Sequence, residues 1–211
     1  MKSLLSTTYF GPMQWYQKLY RSDKCEIEQW ESFQKQTWRN RCLIATTNGI
    51  QALTVPVEHN NSPLIKDIRI SDHGNWRHLH WNALQSAYGE SPFFEYYQDD
   101  IRPFFERPQG GSSAGMQRYD FLIDFNEAIR SKICDLIDIQ PQVSLTNHFV
   151  AEPQDGVTDF RTAISPKHPA DDPDFSPKTY YQVYQQKHGF LSNLSILDLL
   201  FNMGPESIFY L

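Results

Sequence analysis

Apolar positions along the chain change period in step with its Gly and Pro punctuation. Ser3–Phe10 combines β-branched and aromatic residues and stops at Gly11-Pro12, which reads as a first strand. Pro12 suits the first turn of a helix, and Trp15, Tyr16, Leu19 and Tyr20 continue as a helical stripe. Cys25–Ile27 reads as a short second strand. Arg41–Thr47 and Ile50–Val57 then flank Asn48-Gly49, a strong signal for a two-residue hairpin loop. Such a loop sets Ile44 opposite Leu53 and Cys42 opposite Val55. Leu43, Ala45, Ile50 and Ala52 fall on the other face, so the pattern predicts a hairpin covered from both sides.

Beyond the hairpin, His59–Pro63 is a polar loop and Ile65–Ile70 reads as a further strand. Trp76, Leu79, His80, Ala83, Leu84, Ala87 and Tyr88 follow the helical period, with Gly89 as a C-cap. Ser91 and Pro92 open another helix, as N-cap and first residue, and Pro103 stops it. Pro108–Met116 has the composition of a flexible loop. Asp120–Ile137 is the longest helical pattern, and Val143–Val150 alternates as a strand does. Glu152–Lys178 is rich in Pro and Asp and reads as irregular, a length that often signals function. Ser195 caps a short closing helix that Gly204-Pro205 ends. The interleaving predicts an α/β or α+β fold: a single domain over 1–211 with a central mixed sheet, including the hairpin at 41–57, flanked by helices.

Composition narrows the function more than the fold. A chain of 211 residues buries roughly 70% of its unfolded surface and folds without staples. Its net charge of −6 removes the global electrostatic footprint of a nucleic-acid binder. Cys25, Cys42 and Cys134 are far apart and form no ligand or redox pattern, which suits a reducing compartment. No leader-like apolar stretch opens the chain, and no run approaches the ~20 apolar residues of a membrane span. The expectation is a cytoplasmic protein with no membrane span.

Against that acidic background, Lys35, Arg39 and Arg41 fall within seven residues just before the hairpin. Arginine forks match phosphate and carboxylate, and lysine adds a point charge. An extended approach to the hairpin puts all three on one face; the competing reading is a solvated stretch paired with Glu26, Glu28 and Glu31. Nearby, His78 and His80 on one helix point about 200° apart, so that element offers no metal site. His80 lies on the apolar face as a core residue or pocket liner, and His73, before the helix, is a candidate general base. The first strand–loop–helix also offers a place for phosphate at a helix N-terminus. No motif specifies a cofactor.

The segments YFGPMQWYQKL, QKQTWRNRCLI, NGIQALTVPV, LIKDIRIS and NWRHLHWNALQSAYGESPFF, in that order, resemble the WbqC-like proteins. The closing LSILDLLFNMGPES resembles the version found in Bacteroidota. Thr7-Thr8 stand where many members have Gln-Pro. The matching positions include Tyr9, Pro12, Lys35, Arg39, Asn40, Arg41, Pro56, Trp76 and His80. The resemblance implies a place in O-antigen or other surface-polysaccharide synthesis and a transferase role that moves glycine or another small acyl group to a sugar intermediate. In that case Lys35, Arg39, Asn40 and Arg41 hold a phosphorylated or carboxylated sugar; Tyr9, Trp15 and Trp76 line its pocket; and His73 or His80 is the base. The competing class is a non-catalytic ligand-binding or assembly protein of the same pathway, favoured by the lack of a readable nucleophile or metal motif.

Overall fold

The computed structural model describes residues 1–58, 62–106, 119–167 and 169–211. The loop expected at Pro108–Met116 lies outside these residues, as do residues 59–61 of the loop expected at His59–Pro63. Strands β1 (Lys2–Ser6), β2 (Lys24–Glu28), β5 (Val143–Leu145) and β6 (Val157–Asp159) form one sheet in the order β5-β2-β1-β6. Every pairing is parallel: Ser6 of β1 lies beside Glu28 of β2, Leu4 beside Asp159 of β6, and Ile27 beside Leu145 of β5. β1 is central, and its Leu4 and Leu5 are both fully buried, as a strand covered on both faces requires.

Helix α1 (Met13–Arg21) crosses from β1 to β2 and makes the βαβ unit that parallel pairing demands. β3 (Arg41–Thr46) and β4 (Gly49–Thr54) form a separate antiparallel sheet, followed by α2 (Trp76–Tyr88), α3 (Phe94–Ile101) and α4 (Leu122–Leu136). Short α5 (Gln185–His188) and α6 (Ile196–Met203) close the chain. The α/β architecture is therefore the expected one, with its strands divided between a parallel sheet and the hairpin.

Several local expectations need correction. The hairpin pairs Thr46 with Gly49 and Cys42 with Leu53, so Thr47 and Asn48 form the loop. Neither residue has a positive φ, whereas Gly49 sits at φ 102. The left-handed glycine thus follows the turn, as in a bulged hairpin, and the register shifts accordingly. Only β3 is well covered: Ser195 N donates to Leu43 O, and Ala45 N to the Tyr88 hydroxyl, while Ile50 and Ala52 of β4 are exposed. Ile65–Asp67 is a 3-10 turn instead of a strand, and the Val143 strand ends at Leu145. The helix after Ser91-Pro92 starts at Phe94 with Phe93 as its cap position, so Ser91 does not cap it. Glu152–Lys178 contains β6, a strand the sequence reading passed over. Ser195 does cap α6, accepting from Leu197 N.

Three contacts dock the hairpin side of the molecule onto the parallel sheet. Asn126 Nδ2, on α4, donates to Thr7 Oγ1 at 3.1 Å and to Arg39 O at 2.8 Å. Tyr9 N donates to Trp38 O at 2.8 Å. Together they fix the loop after β1 and the turn at 34–40 in one arrangement.

Candidate functional site

Numbered in chain order, the parallel strands run 3-2-1-4 across the sheet. The chain winds outward from β1 to β2 and β5, then returns to the opposite side of β1. In open α/β sheets, ligands bind beyond the carboxyl ends of the strands at such a reversal. A small cleft of about 30 Å³, open to solvent, lies there between the ends of β1 and β6. It is lined by Ser6, Thr7 and Thr8 at the end of β1, by Trp15 and Arg39, and by Phe160, Arg161 and Ile164 after β6.

The loop after β1 is rigidly held. Trp15 Nε1 donates to Ser6 O at 2.9 Å, which pins α1 to the strand end. Ser195 Oγ donates to Phe10 O at 2.8 Å, and Ile196 N to Gly11 O at 2.9 Å. Phe10 adopts φ 41, a left-handed conformation that costs a non-glycine residue about 1–2 kcal/mol and persists only where its surroundings enforce it. Gly11 permits the turn because a Cβ there would stand 2.4 Å from Thr8 Oγ1. Met13 N is taken by Leu194 O and Gln14 N by Asn193 Oδ1, so the first donors of α1 are already spent. The phosphate site expected at that helix N-terminus therefore lacks those donors.

Charge in the cleft comes from two buttressed arginines. Arg39, 7% exposed, donates from Nε and Nη2 to the two oxygens of Glu31 at 2.8 and 2.6 Å, and from Nη2 to Ser6 Oγ at 3.0 Å. Arg161 forks onto Asp159 in the same way, at 3.0 Å through Nε and 2.6 Å through Nη2. Its Nη1 is 3.8 Å from Glu28, whose carboxylate is fully buried and accepts from Trp30 N, Thr146 Oγ1 and Val150 N. The hydrogen bonds and charge of Asp159 hold Arg161 even more firmly protonated than a free guanidinium. Each arginine thus commits one edge to a carboxylate and keeps Nη1 without a hydrogen-bond partner among the described residues.

The nine residues singled out in the sequence do not form one site. Arg39 and Trp15 line the cleft. Residues 34–40 are turns with Gln36 at φ 61, not an extended run, so Lys35, Arg39 and Arg41 do not share a face. Lys35 is exposed, and Arg41 donates from Nε across the hairpin to Thr54 Oγ1 at 3.0 Å. Asn40 is buried and donates to Val55 O at 2.8 Å.

Tyr9, Trp76 and His80 belong instead to a buried aromatic nest with Phe125. The Tyr9 hydroxyl meets His80 Nδ1 at 2.9 Å, and the Trp76 and His80 rings are 5.1 Å apart. Burial pushes His80 down to about 4, against a backbone hydrogen bond at Thr54 that pulls the other way. Burial likewise raises the Tyr9 phenol well above its usual value. His80 is a neutral core ring, and His73 is exposed on the turn His73–Asn75. Neither histidine lines the cleft. Arg161 and Thr8 do line it, and sequence reasoning missed both. Arg161 stands in a Pro/Asp-rich stretch, two residues after an aspartate, where only the position of β6 reveals its setting.

Among the described residues, no group of three or more His, Cys, Asp or Glu side chains is placed to hold a metal ion. No described helix is long and apolar enough to cross a membrane. The description of the WbqC-like protein family matches residues 7–170 and 171–210. The chain is also 28% identical over 204 residues to the uncharacterized protein Rv1507c of Mycobacterium tuberculosis (strain ATCC 25618 / H37Rv), covering 85% of this chain and 83% of that one. No solved structure matches.

Proposed function

The chain belongs to the WbqC-like protein family, and we propose that it is a cytoplasmic transferase of surface-polysaccharide synthesis that binds a phosphorylated or carboxylated sugar intermediate in the β1/β6 cleft. The observation that carries this reading is the position of the cleft: the carboxyl ends of parallel strands, at their reversal, beside Arg39 and Trp15. Arg39 supplies charge at a fixed angle because Glu31 occupies its other edge, and preorganised donors lose little freedom on binding. Trp15, 2% exposed, backs the cleft from the core and fixes the end of β1 through its bond to Ser6 O. The group moved is glycine or another small acyl unit, which suits the limited volume of the cleft.

A specific observation favours a second reading, a non-catalytic ligand-binding or assembly protein: among the described residues, no histidine or cysteine lines the cleft. Calorimetric titration with a panel of nucleotide sugars and sugar phosphates, paired with a search for acylated product, separates the two. The transferase reading expects saturable binding that Arg39→Ala weakens, together with turnover. Binding without turnover under every acyl donor supplied favours the second reading. A wild-type protein that binds none of the panel, or an Arg39→Ala variant that binds as well as wild type, contradicts both.

A further inference from the structure

The anionic group of the ligand has a definable seat, and this inference rests on the cleft reading above. We propose that Arg39, Arg161 and Thr8 form an oxyanion cradle that holds a phosphate or carboxylate group between the ends of β1 and β6. Three independent features converge there. Each guanidinium is oriented by a carboxylate fork along its Nε–Nη2 edge, leaving Nη1 without a hydrogen-bond partner among the described residues, that of Arg161 lying 3.8 Å from Glu28. The two arginines reach the cleft from separate segments, one on the turn before the hairpin and one just past β6. Thr8, 4% exposed, lines the cleft and carries a hydroxyl that packs against Gly11 and has no hydrogen-bond partner among the described residues. Buried polar groups are almost always paired, and rotation about χ1 toward a bound anion would give this one a partner.

The chemistry selects an oxyanion. Two arginine nitrogens and a hydroxyl are all donors, and a group with several acceptor oxygens satisfies them together. Glu28, Glu31 and Asp159 also face this cluster, so the five charged groups sum to −1. Long-range attraction is therefore weak, and recognition depends on direct hydrogen bonds inside the cleft. The wall from Phe160 to Pro166 covers the seat from one side, and Lys167 Nζ reaches Gln36 Oε1 at 2.7 Å on the other.

The test is calorimetric titration of the full chain with inorganic phosphate and, separately, with acetate. Wild type is expected to bind at least one of them saturably, and which one it binds identifies the ligand group as phosphate or carboxylate. Thr8→Val, which keeps the side-chain shape, and Arg161→Lys, which keeps the charge, are each expected to weaken that binding about tenfold or more, the loss typical of one hydrogen bond to a charged group. Arg41→Gln, which lies outside the cleft, leaves it unchanged. Circular dichroism and thermal melting confirm that each variant is folded. Failure of wild type to bind either anion at millimolar concentration overturns the cradle, as does equal binding by Thr8→Val and Arg161→Lys. Sugar-ligand binding that ignores both variants removes the cradle and leaves the transferase reading; anion binding without any sugar ligand removes the transferase reading and leaves the cradle.

Discussion

Removing the Lys18 ammonium tests how the far wall of the cleft is anchored. Lys18, on α1, is 1% exposed and lies 2.8 Å from Asp172, whose side chain is 4% exposed. Asp172 also accepts from Gln14 Nε2 at 2.7 Å, and the ammonium sits 4.7 Å above the Phe160 ring. This buried pair therefore fastens the irregular chain after β6 onto the first helix. Lys18→Met keeps most of the apolar stem of the side chain and removes its charge, leaving a buried carboxylate with one neutral donor. Breaking a buried pair in this way costs about 3–5 kcal/mol. An exposed pair such as Lys24–Glu26, with side chains 43% and 38% exposed, contributes about 0–1 kcal/mol. Urea denaturation at pH 7 measures the difference directly. The double variant Lys18→Met/Asp172→Leu removes both charges and is expected to recover most of the loss. A change below about 1 kcal/mol for Lys18→Met would refute the anchoring argument, since it is the size expected of a solvated pair.

Further consequences concern the core. His80, held down to about 4 against about 6.5 in the unfolded chain, refuses a proton that the unfolded state accepts. Its contribution is intact above pH 6.5 and is lost as pH falls toward 4, by about 2 kcal/mol at pH 4.5. Comparing urea midpoints of wild type and His80→Gln at pH 7 and 4.5 checks this; equal acid sensitivity in both proteins contradicts it. Burial pushes the Cys25 thiol up to about 11 and the Cys42 and Cys134 thiols up to about 12, so a thiol reagent at pH 8 is expected to react with none of them until the chain unfolds. A fast-reacting thiol in the native protein counts against the buried setting. Gly11→Ala brings a methyl within 2.4 Å of Thr8 Oγ1 and should destabilise by about 1–3 kcal/mol, a loss that Thr8→Ala in the same chain relieves; thermal melts of the single and double variants decide it.

The legible parts of this fold were those that local periodicity governs. The α2 and α4 stripes, the Ser195 cap and the hairpin all follow from residues within one element's length. The hairpin register did not, because Asn-Gly fits both a primed two-residue turn and a type I turn with a left-handed glycine behind it. β6 escaped because its three residues, Val157–Asp159, owe their strand state to Lys2, Ser3 and Leu4 alongside them. Arg161 escaped for the same reason, since its role depends on which strand it follows. Arg39, Asn40 and Arg41 are adjacent in sequence yet serve three different neighbours, Glu31, Val55 and Thr54. The turn at 34–40 breaks the alternation that would have aligned the cations. His80 and Trp76 carried a readable helical pattern, but that pattern cannot tell a core ring from a pocket ring, and burial decides for the core.

Entry of ligands at the reversal between β1 and β6 is open to one decisive measurement, a crystal structure of the protein soaked with inorganic phosphate. The expected result is an anion within hydrogen-bond distance of Arg39 and Arg161, with the Thr8 hydroxyl turned toward it. Phosphate bound elsewhere, with the cleft filled only by water, would contradict it.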